Sequence, residues 1–529
     1  MAAKILYGGE LHLPDIPLMQ EVIESCKKHG DRIFLDDVKM KKQSTFRQLL
    51  DNAGAISSTI RKLGQGPGKI VMIVSDVTVE AVTTNFGIWL SGAASSSINP
   101  NLPKEEILNF FKICRSEVVF CGDEYQEKVK EVVSLLDWAV TIICPNHQDG
   151  VLDYYRCLEE GNSAEGTVLE GWWTGKDHAL CILFTSGTTG SPKGVLVRDE
   201  ALTFCRHLRI WKDNWTDGSV VLLTTPMYWI SNTWTNIYAS CAGIKLSIAS
   251  RMSVKETMET ITEYKPTGWS TGPSILIEIC KEEDVDKYDF SSIKIIFIGG
   301  SVLLPEHRKM ITEKMTCNKH IIKCLYGSTE VSLATYEPTF LDIESTKLAN
   351  VGKVAPGVTM KVVDTETGKI LPPYAVGELC IKSPGVLKQY INKEFTEEDM
   401  DKDGFWHLGD LGYYDDEEYL FYSSRLKDVM KYKGQQIAPI ELESILLKHP
   451  DVQECCVVGK MCIEQGGELP TAFIIKKPGS NLSEEEIHTF ISGKVIDEKK
   501  LRGGIFFVDS IPKSSVGKVL RNELKKLLS

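Results

Sequence analysis

Short apolar runs alternate with segments of helical periodicity along most of this chain, and that alternation limits the folds open to it. In the segment Phe46–Leu63, Leu49, Ala53 and Ile60 fall near one face of a helix. The apolar runs that we predict as buried strands are Ile70–Val74, Val118–Cys121, Val140–Cys144, Ala179–Phe184 and Ile293–Ile298. Strands that alternate with helices form parallel sheets covered by helices. The sequence therefore predicts an α/β fold.

The pattern changes near residue 360. Met360–Val363, Gly377–Ile381 and Trp406–Phe421 contain short predicted strands separated by Gly, Pro and acidic turns, which is typical of a small β-subdomain. After Arg425 come a short basic linker and a compact α+β pattern. We predict an N-terminal domain of residues 1–424, with a β-rich portion from about 350 to 424, and a C-terminal domain of residues 425–529.

Composition and charge exclude several classes of protein. The net charge of −12, with Lys and Arg dispersed among acids, gives no reason to expect nucleic acid as a partner. The 15 cysteines include no C-x-x-C pair, so neither a zinc site nor a disulfide framework is predicted. No apolar stretch approaches transmembrane length and no secretory signal is evident. The last residues are not the Ser-Lys-Leu peroxisomal signal, so we expect a cytoplasmic protein. The oligomeric state stays open.

One segment points to phosphate chemistry. Glycines, hydroxyl residues and a lysine lie between the predicted strand Ala179–Phe184 and the apolar residues Val195–Val197; they are Thr185, Ser186, Gly187, Thr188, Thr189, Gly190 and Lys193. Such a loop can direct backbone N–H and hydroxyl donors at a phosphate chain, with Lys193 as a point charge. The spacing is not that of a Walker A loop. The alternative is an exposed polar linker.

This segment resembles the signature loop of the adenylate-forming superfamily, which includes acyl-CoA synthetases, 4-coumarate:CoA ligases and beetle-type luciferases. Further segments resemble motifs of the same family in the same order; they are Tyr326–Glu330, Gly409-Asp410, Arg425–Lys427, Lys431–Gly434 and Ser515–Lys518. The resemblance extends from about Phe46 to Arg521. It implies an N-terminal domain with two parallel-type sheets flanked by helices and a small β-subdomain, followed by a small mobile C-terminal domain.

The resemblance also implies roles for these residues in binding ATP. Tyr326, Gly327 and Thr329 would lie at the nucleotide, where Thr329 would donate to phosphate oxygens, and Glu330 would be the Mg²⁺ ligand. Asp410, predicted in a turn after a strand at Trp406–Leu408, would accept hydrogen bonds from the ribose hydroxyls, which Arg425 would also contact. The adenine pocket would include Gly299, Gly300 and Ser301.

Two lysines of the C-terminal region are predicted to be catalytic by resemblance. Lys518 would bridge the acid carboxylate and the α-phosphate during adenylation. Lys431 would serve the second half-reaction, on the other face of the C-terminal domain. Lys427 is the predicted hinge about which this domain rotates to exchange the two lysines.

The chain also departs from the family pattern. Trp229 stands where many relatives have a histidine, Leu408 where a threonine is usual, and Ser424 where an aspartate is usual. Trp229 and Trp234 would form either an apolar wall of the acyl site or part of the core. Leu325 and Ser332 are predicted near the acyl end of the substrate, which would fit an apolar, fatty or aryl acid.

Three functions remain open at this stage. The first is a CoA ligase, which uses ATP, Mg²⁺ and CoA to convert a carboxylic acid to a thioester. The second is a luciferase-like monooxygenase, in which O₂ instead of CoA meets the adenylated acid and light is emitted. The third is an inactive homologue that only binds nucleotide. The sequence does not identify the acid.

Overall fold

The computed structural model describes residues 2–146, 150–162, 175–185, 192–315, 322–342, 344–392, 399–433, 435–462, 464, 467–513 and 519–528. As far as residue 162, its elements are β1 (Leu6–Tyr7), α1 (Leu18–His29), β2 (Ile33–Asp37), β3 (Lys42–Thr45), α2 (Phe46–Lys62), β4 (Ile70–Val74), α3 (Val79–Ser91), β5 (Ala94–Ile98), α4 (Lys104–Cys114), β6 (Val118–Cys121), α5 (Gln126–Val133), β7 (Thr141–Cys144), β8 (Leu152–Asp153) and α6 (Tyr154–Asn162).

The middle of the chain continues the alternation. Its elements are β9 (Ala179–Thr185), β10 (Lys193–Arg198), α7 (Asp199–His207), α8 (Arg209–Asn214), β11 (Val220–Leu223), α9 (Ile230–Ala242), β12 (Lys245–Ile248), α10 (Val254–Tyr264), β13 (Gly268–Thr271), α11 (Pro273–Lys281), β14 (Ile295–Ile298), α12 (Pro305–Met315), β15 (Ile322–Ser328), β16 (Ser332–Tyr336) and β17 (Lys353–Val354).

The last third is richer in strands. It contains β18 (Thr359–Val363), β19 (Gly377–Lys382), β20 (Trp406–Tyr414), β21 (Leu420–Arg425), β22 (Met430–Tyr432), β23 (Gln435–Ile437), α13 (Pro439–Leu446), β24 (Val452–Cys462), β25 (Gly467–Lys476), α14 (Glu484–Ser492), β26 (Gly504–Phe507) and α15 (Arg521–Lys526). None of the helices in the described ranges has both the length and the apolar character needed to cross a membrane.

Two large sheets and two smaller ones organise these elements. A seven-stranded sheet has the order β10-β9-β5-β4-β6-β7-β8, and only its β9/β10 pair is antiparallel. A nine-stranded sheet has the order β17-β16-β15-β14-β13-β11-β12-β2-β3, with a parallel centre from β15 to β2. The strands β1, β18, β19, β20 and β21 form an antiparallel sheet. The fourth sheet is β23-β22-β25-β24, with β26 parallel to β25. The predicted fold class is confirmed.

Local sequence explains α2 well. Thr45 accepts a hydrogen bond from the Gln48 backbone N–H, and the Gln48 side chain accepts from the Thr45 N–H, so a capping box begins the helix. Leu49, Ala53 and Ile56 are all buried, as the periodicity predicts. The apolar stripe therefore explains both why this segment is helical and which face packs inward.

The main hydrophobic core contains side chains of both large sheets and of α1, α2, α3 and α9. On β4, Val71 and Ile73 face this core, whereas Met72 and Val74 face a second cluster with α4 and α5. This follows because successive strand side chains point to opposite faces. From residue 430 onward, the described core clusters contain no residue of the earlier chain. The exact boundary at residues 424 and 425 stays a prediction.

A buried ion pair joins α12 to the strands that follow it. Arg308 donates to Glu337 through two bonds of 2.7 and 3.0 Å, and both side chains are almost fully buried. Glu337 also accepts the Cys324 backbone N–H at 2.7 Å and the Asn350 amide at 2.8 Å. Both carboxylate oxygens are thus satisfied, as a buried charge requires. The network holds the two ends of the β15–β16 hairpin, whose turn carries the motif Tyr326–Glu330.

We expect Arg308→Met to lower the free energy of unfolding by about 3–5 kcal/mol, because it leaves the Glu337 charge buried without its partner. Arg209→Met is the control, since the Arg209–Asp213 pair is exposed and should contribute less than about 1 kcal/mol. Denaturant unfolding of both variants, followed by circular dichroism, measures the difference. Equal losses of unfolding free energy in the two variants would contradict the role assigned to the buried ion pair.

Candidate nucleotide-binding site

The predicted phosphate-binding segment is framed by an antiparallel hairpin. Thr185 ends β9 and pairs with Lys193, which begins β10. The predicted residues Ser186, Gly187, Thr188, Thr189 and Gly190 lie outside the described residues. The hairpin is fastened by Asn392, whose Oδ1 accepts the Gly194 N–H at 3.1 Å and whose amide donates to the Pro192 carbonyl at 3.0 Å. These contacts fix the exit of the loop.

Glu330 lies directly beside this hairpin. The Thr185 hydroxyl donates to Glu330 Oε1 at 3.1 Å, although the two residues are 145 positions apart. The Glu330 carbonyl accepts the Leu387 N–H at 2.7 Å, which anchors the turn. Carboxylate and hydroxyl oxygens are the ligands that Mg²⁺ prefers, and Mg²⁺ usually takes only one or two carboxylates plus substrate phosphates. The donor chemistry at Glu330 therefore fits a magnesium ion bound together with ATP.

Tyr326, Gly327 and Thr329 occupy the end of β15 and the turn that follows it. The β15–β16 register shifts between Tyr326 and Gly327. At this irregularity the strands approach so closely that a Cβ on Gly327 would lie 2.0 Å from the Ser332 carbonyl oxygen. Glycine is thus required here by close backbone contact. Because of the tight turn, Tyr326 and Glu330 both lie near the end of one strand.

Asp410 lies at the centre of a second cluster. The Tyr326 hydroxyl donates to Asp410 Oδ2 at 2.6 Å, and Arg425 Nε lies 3.0 Å from Oδ1. Burial and the adjacent Asp410 carboxylate hold the pKa of Tyr326 well above its usual value near 10, so its hydroxyl stays a donor. Asp410 is only 3% exposed. The cluster therefore holds one oriented, buried carboxylate.

The predicted turn at Asp410 is wrong. Asp410 lies inside the continuous strand β20, directly opposite Arg425 of β21. The β19–β20 register shifts at this point, between the pairs Cys380–His407 and Glu378–Leu411, and Gly409, with φ of +63°, lies in that irregularity. A Gly-Asp pair favours a turn only locally. Here, pairing of Asp410 with Arg425 of β21 keeps the segment in the strand.

The glycines predicted at the adenine follow β14. Gly299 and Gly300 come directly after this strand, next to the end of β15. The Gly299 N–H donates to the Thr271 carbonyl at 3.2 Å, and a Cβ on Gly299 would lie 3.3 Å from the Leu325 carbonyl oxygen. Ser301 is exposed. These residues thus lie at the carboxyl ends of parallel strands, where open α/β sheets bind ligands.

The predicted acyl-site residues have different surroundings. Trp229 is half-buried at the start of α9, whereas Trp234 is 9% exposed and belongs to the main hydrophobic core. Leu325 is half-buried against the same core. Ser332 is buried in a left-handed backbone conformation, with φ of +59°. Their role around the acid stays a prediction.

The lysines of the C-terminal region are only partly described. Lys431 is exposed on β22, and its backbone N–H donates to Glu468 at 3.3 Å. Lys427 is exposed in a short 3₁₀ turn, Leu426–Asp428, between β21 and β22. Lys518 lies outside the described residues. The structure therefore leaves its position relative to Glu330 and Asp410 as a prediction.

Three residues beside the site were not predicted from the sequence: Tyr390, Asn392 and Glu378. Lys193 Nζ lies 5.5 Å from the centre of the Tyr390 ring, and Asn392 fastens the hairpin as described. Glu378 accepts the Gly409 N–H at 3.2 Å and also contacts His407 at 2.9 Å. No local pattern marks these residues. Each contacts the site only through a partner distant in sequence.

Comparison with known proteins identifies the family. The AMP-binding enzyme family matches residues 22–391, and the AMP-binding enzyme C-terminal domain matches residues 441–518. 4-Coumarate–CoA ligase 1 of Petroselinum crispum is 31% identical over 97% of this chain and 95% of its own length. 4-Coumarate–CoA ligase of Pinus taeda is also 31% identical, over 98% of this chain and 97% of its own length. The chain belongs to the AMP-binding enzyme family of the adenylate-forming superfamily, and it is an enzyme of the acyl-CoA synthetase type.

Solved structures share the fold. ATP-bound MatB from Rhodopseudomonas palustris superposes with a TM-score of 0.84 at 22% identity, over 97% of this chain and 100% of that protein. The anthranilate CoA ligase AuaEII in complex with anthranoyl-AMP has a TM-score of 0.86 at 23% identity, over 98% of both chains. At these identities the likeness concerns the fold.

We expect Gly327→Ala to cost about 1–3 kcal/mol of stability, because its Cβ would overlap the Ser332 carbonyl oxygen. The same displacement should weaken ATP binding, since Tyr326 and Glu330 flank Gly327. Gly493→Ala is the control: its Cβ would meet no heavy atom within 4 Å, and its φ is −82°. Denaturant unfolding and ATP titration measure both effects. A Gly327→Ala protein as stable as the control would contradict the close contact.

Proposed function

We propose that this enzyme uses ATP to convert an organic carboxylic acid to its acyl-adenylate, releasing pyrophosphate, and then transfers the acyl group to CoA. The observation that carries the proposal is the arrangement at the end of β15. Tyr326 contacts Asp410 there, and four residues later Glu330 contacts Thr185. The turn after β15 thus connects Tyr326, which contacts the carboxylate suited to ribose, to Glu330, the carboxylate suited to phosphate-bound magnesium. Full-length similarity to CoA ligases supports the same reaction.

Asp410 is the proposed ribose ligand. An ionised carboxylate has enough acceptor sites to take hydrogen bonds from two adjacent hydroxyls. Tyr326 holds one oxygen at 2.6 Å and Arg425 lies 3.0 Å from the other, so the group is oriented before ATP arrives. Such preorganisation lowers the entropy lost on binding. The role of these residues is thus mainly to position the nucleotide.

The phosphates belong at the β9–β10 hairpin in this proposal. Thr185, Lys193 and the segment from Ser186 to Gly190 offer hydroxyl, ammonium and backbone N–H donors to the triphosphate. Magnesium, when bound at Glu330 with ATP, supplies positive charge that offsets repulsion between the phosphates and the incoming acid. The hydrogen bond from Thr185 orients the Glu330 carboxylate. Positioning and electrostatics therefore account for the catalysis expected here.

Adenylation joins the acid to AMP. A carboxylate oxygen of the acid attacks the α-phosphorus, the bond to the β-phosphate breaks, and pyrophosphate leaves. Both reactants are anions, so a cation between them stabilises the charge of the transition state. Lys518 is the proposed cation, on the basis of its motif Ser515–Lys518.

Thioester formation follows with CoA. The thiolate attacks the acyl carbonyl carbon and AMP leaves. We assign this step to the face that carries Lys431, after the C-terminal domain, residues 425–529, rotates about Lys427. The exposure of both lysines and the separate core clusters beyond residue 430 support this assignment. Such hinge rotation places large φ/ψ changes in a few residues between domains.

The proposed acid is apolar, either fatty or aryl. Leu325 and Trp229 offer apolar surface near the end of β15 and the start of α9. The relatives from Petroselinum crispum and Pinus taeda are named for 4-coumarate, an aryl acid. Because aromatic side chains bind apolar rings well, the exchange of a usual histidine for Trp229 favours an uncharged acyl group.

A pyrophosphate-release screen tests the function. Fatty, aryl and luciferin-like acids are incubated with ATP and Mg²⁺, with and without CoA, while light is recorded. We expect dark, CoA-dependent turnover that produces a thioester with at least one apolar acid. Light from an acid with ATP and O₂, without CoA, would replace the ligase by a luciferase-like monooxygenase. ATP binding without adenylate formation from any acid would indicate an inactive homologue.

The two lysines should separate the half-reactions. We expect Lys518→Ala to lower ATP–pyrophosphate exchange by about 10²–10³-fold, because it removes a charge from the adenylation transition state. Lys431→Ala should leave exchange intact and lower only thioester formation from acyl-adenylate and CoA. The control is Lys460→Ala, an exposed lysine at the end of β24. Intact exchange in Lys518→Ala, with exchange lost in Lys431→Ala, would reverse the assignment.

A further inference from the structure

Three side chains of different chemistry meet on two neighbouring strands of the antiparallel sheet. Glu378 and Cys380 belong to β19, and His407 belongs to β20. His407 Nδ1 lies 2.9 Å from Glu378 Oε2 and 3.5 Å from Cys380 Sγ. One carboxylate oxygen, one sulfur and one ring nitrogen all lie within 4.8 Å of one another. Within the described residues, no other group of His, Cys, Asp and Glu is arranged in this way.

The strand register explains why these side chains converge. Glu378 and Cys380 are two residues apart, so their side chains share one face of β19. Cys380 is directly opposite His407 across the β19–β20 pair. Cys380 is fully buried, whereas the Glu378 and His407 side chains are 13% and 23% exposed. The cluster therefore has a buried sulfur and an opening to solvent along the other two side chains.

We propose that Glu378, Cys380 and His407 bind one transition-metal ion of the Zn²⁺ type. Cysteine sulfur, imidazole nitrogen and carboxylate oxygen are each Zn²⁺ ligands, and zinc sites with three protein ligands keep one open position. Bonds of about 2.0–2.3 Å at tetrahedral angles place neighbouring donors about 3.3–3.8 Å apart. The sulfur–nitrogen distance of 3.5 Å already fits, and the oxygen–nitrogen distance of 2.9 Å requires only a small outward movement.

Metal binding at this cluster releases protons and involves no change of oxidation state. The ion takes a lone pair from each donor, so the Cys380 thiol proton passes to solvent, as does any proton on His407 Nδ1. Water completes the fourth position on the exposed side. Mg²⁺ is a poor occupant, because it prefers six oxygen ligands and Cys380 offers sulfur. The site is therefore chemically distinct from the hard-oxygen donors at Glu330.

The surroundings support a metal ligand set. Glu378 Oε1 accepts the Gly409 N–H at 3.2 Å, so the carboxylate is held with Oε2 directed at His407. Hydrogen bonds of this kind orient metal ligands, and their loss commonly lowers metal affinity by about 10–100-fold. Lys361 is opposite Cys380 on β18, but its charge is compensated by Asp401 at 2.6 Å. An ion here would cross-link β19 to β20 next to Gly409 and Asp410.

Cobalt serves as the spectroscopic probe. Full-length protein, freed of metal by a chelator, is titrated with Co²⁺ alone, without ATP, acid or CoA. We expect a near-ultraviolet thiolate-to-cobalt absorption band that saturates at one ion per chain and disappears when Zn²⁺ is added. Zn²⁺ should also raise the thermal unfolding temperature, because an ion that binds only the folded state stabilises it. Absence of the absorption band would overturn the proposal.

Matched variants identify the ligands. Cys380→Ser should abolish the absorption band and weaken Zn²⁺ binding by at least about 100-fold. His407→Gln keeps the thiol but should weaken binding similarly, and circular dichroism without metal shows whether each variant folds. Cys462→Ser, at a partly exposed cysteine of the C-terminal region, is the control and should bind like the parent. An unchanged cobalt spectrum in folded Cys380→Ser would overturn the site. Because no substrate is present, failure here leaves the proposed ligase function untouched.

Discussion

The candidate site depends most on the hydrogen bonds and the ion pair made by the buried carboxylate of Glu337. This carboxylate accepts two hydrogen bonds from Arg308 of α12, one from the Cys324 backbone in β15 and one from Asn350 before β17. A charge removed from water is tolerated only when all its acceptor sites are used. Satisfying them joins one helix to three strands at the end of the nine-stranded sheet. The β15–β16 hairpin is thereby held at its open end, and its turn presents Tyr326 and Glu330.

From that hairpin the site extends in two directions. Tyr326 reaches Asp410 in the antiparallel sheet, and Glu330 reaches Thr185 at the end of β9 in the seven-stranded sheet. Three sheets therefore meet at one turn, and each contributes a polar group that no single sheet could position alone. This division would suit the proposed reaction between two anions, in which the ribose, the phosphates and the acid each need a separate, preorganised contact. The cluster of Glu378, Cys380 and His407 includes a residue of β20, the strand that carries Asp410, so a metal ion bound there would stiffen the proposed ribose site.

Much of the local structure could be predicted from sequence. The capping box and apolar stripe of α2 act within a few residues, and β4 and β6 have the predicted bounds. Asp410 was different: a Gly-Asp pair favours a turn, but pairing with Arg425 of β21 holds the segment in a strand. The chain has no C-x-x-C spacing, but linear spacing gives no information about the contact between Cys380 and His407. These two residues are 27 positions apart and meet only through strand register.

The sequence by itself determined the alternation of helices and strands, the family and the order of its motifs, because propensity, periodicity and local spacing act over short distances. The tertiary structure alone decided which motif residues touch. Thr185 and Glu330 are 145 positions apart, and Tyr326 and Asp410 are 84 apart, yet each pair is joined by a hydrogen bond. It also decided that Glu337 and Arg308 are buried partners. The physical reason is that such contacts depend on sheet order and register, which arise from packing the whole chain around its cores.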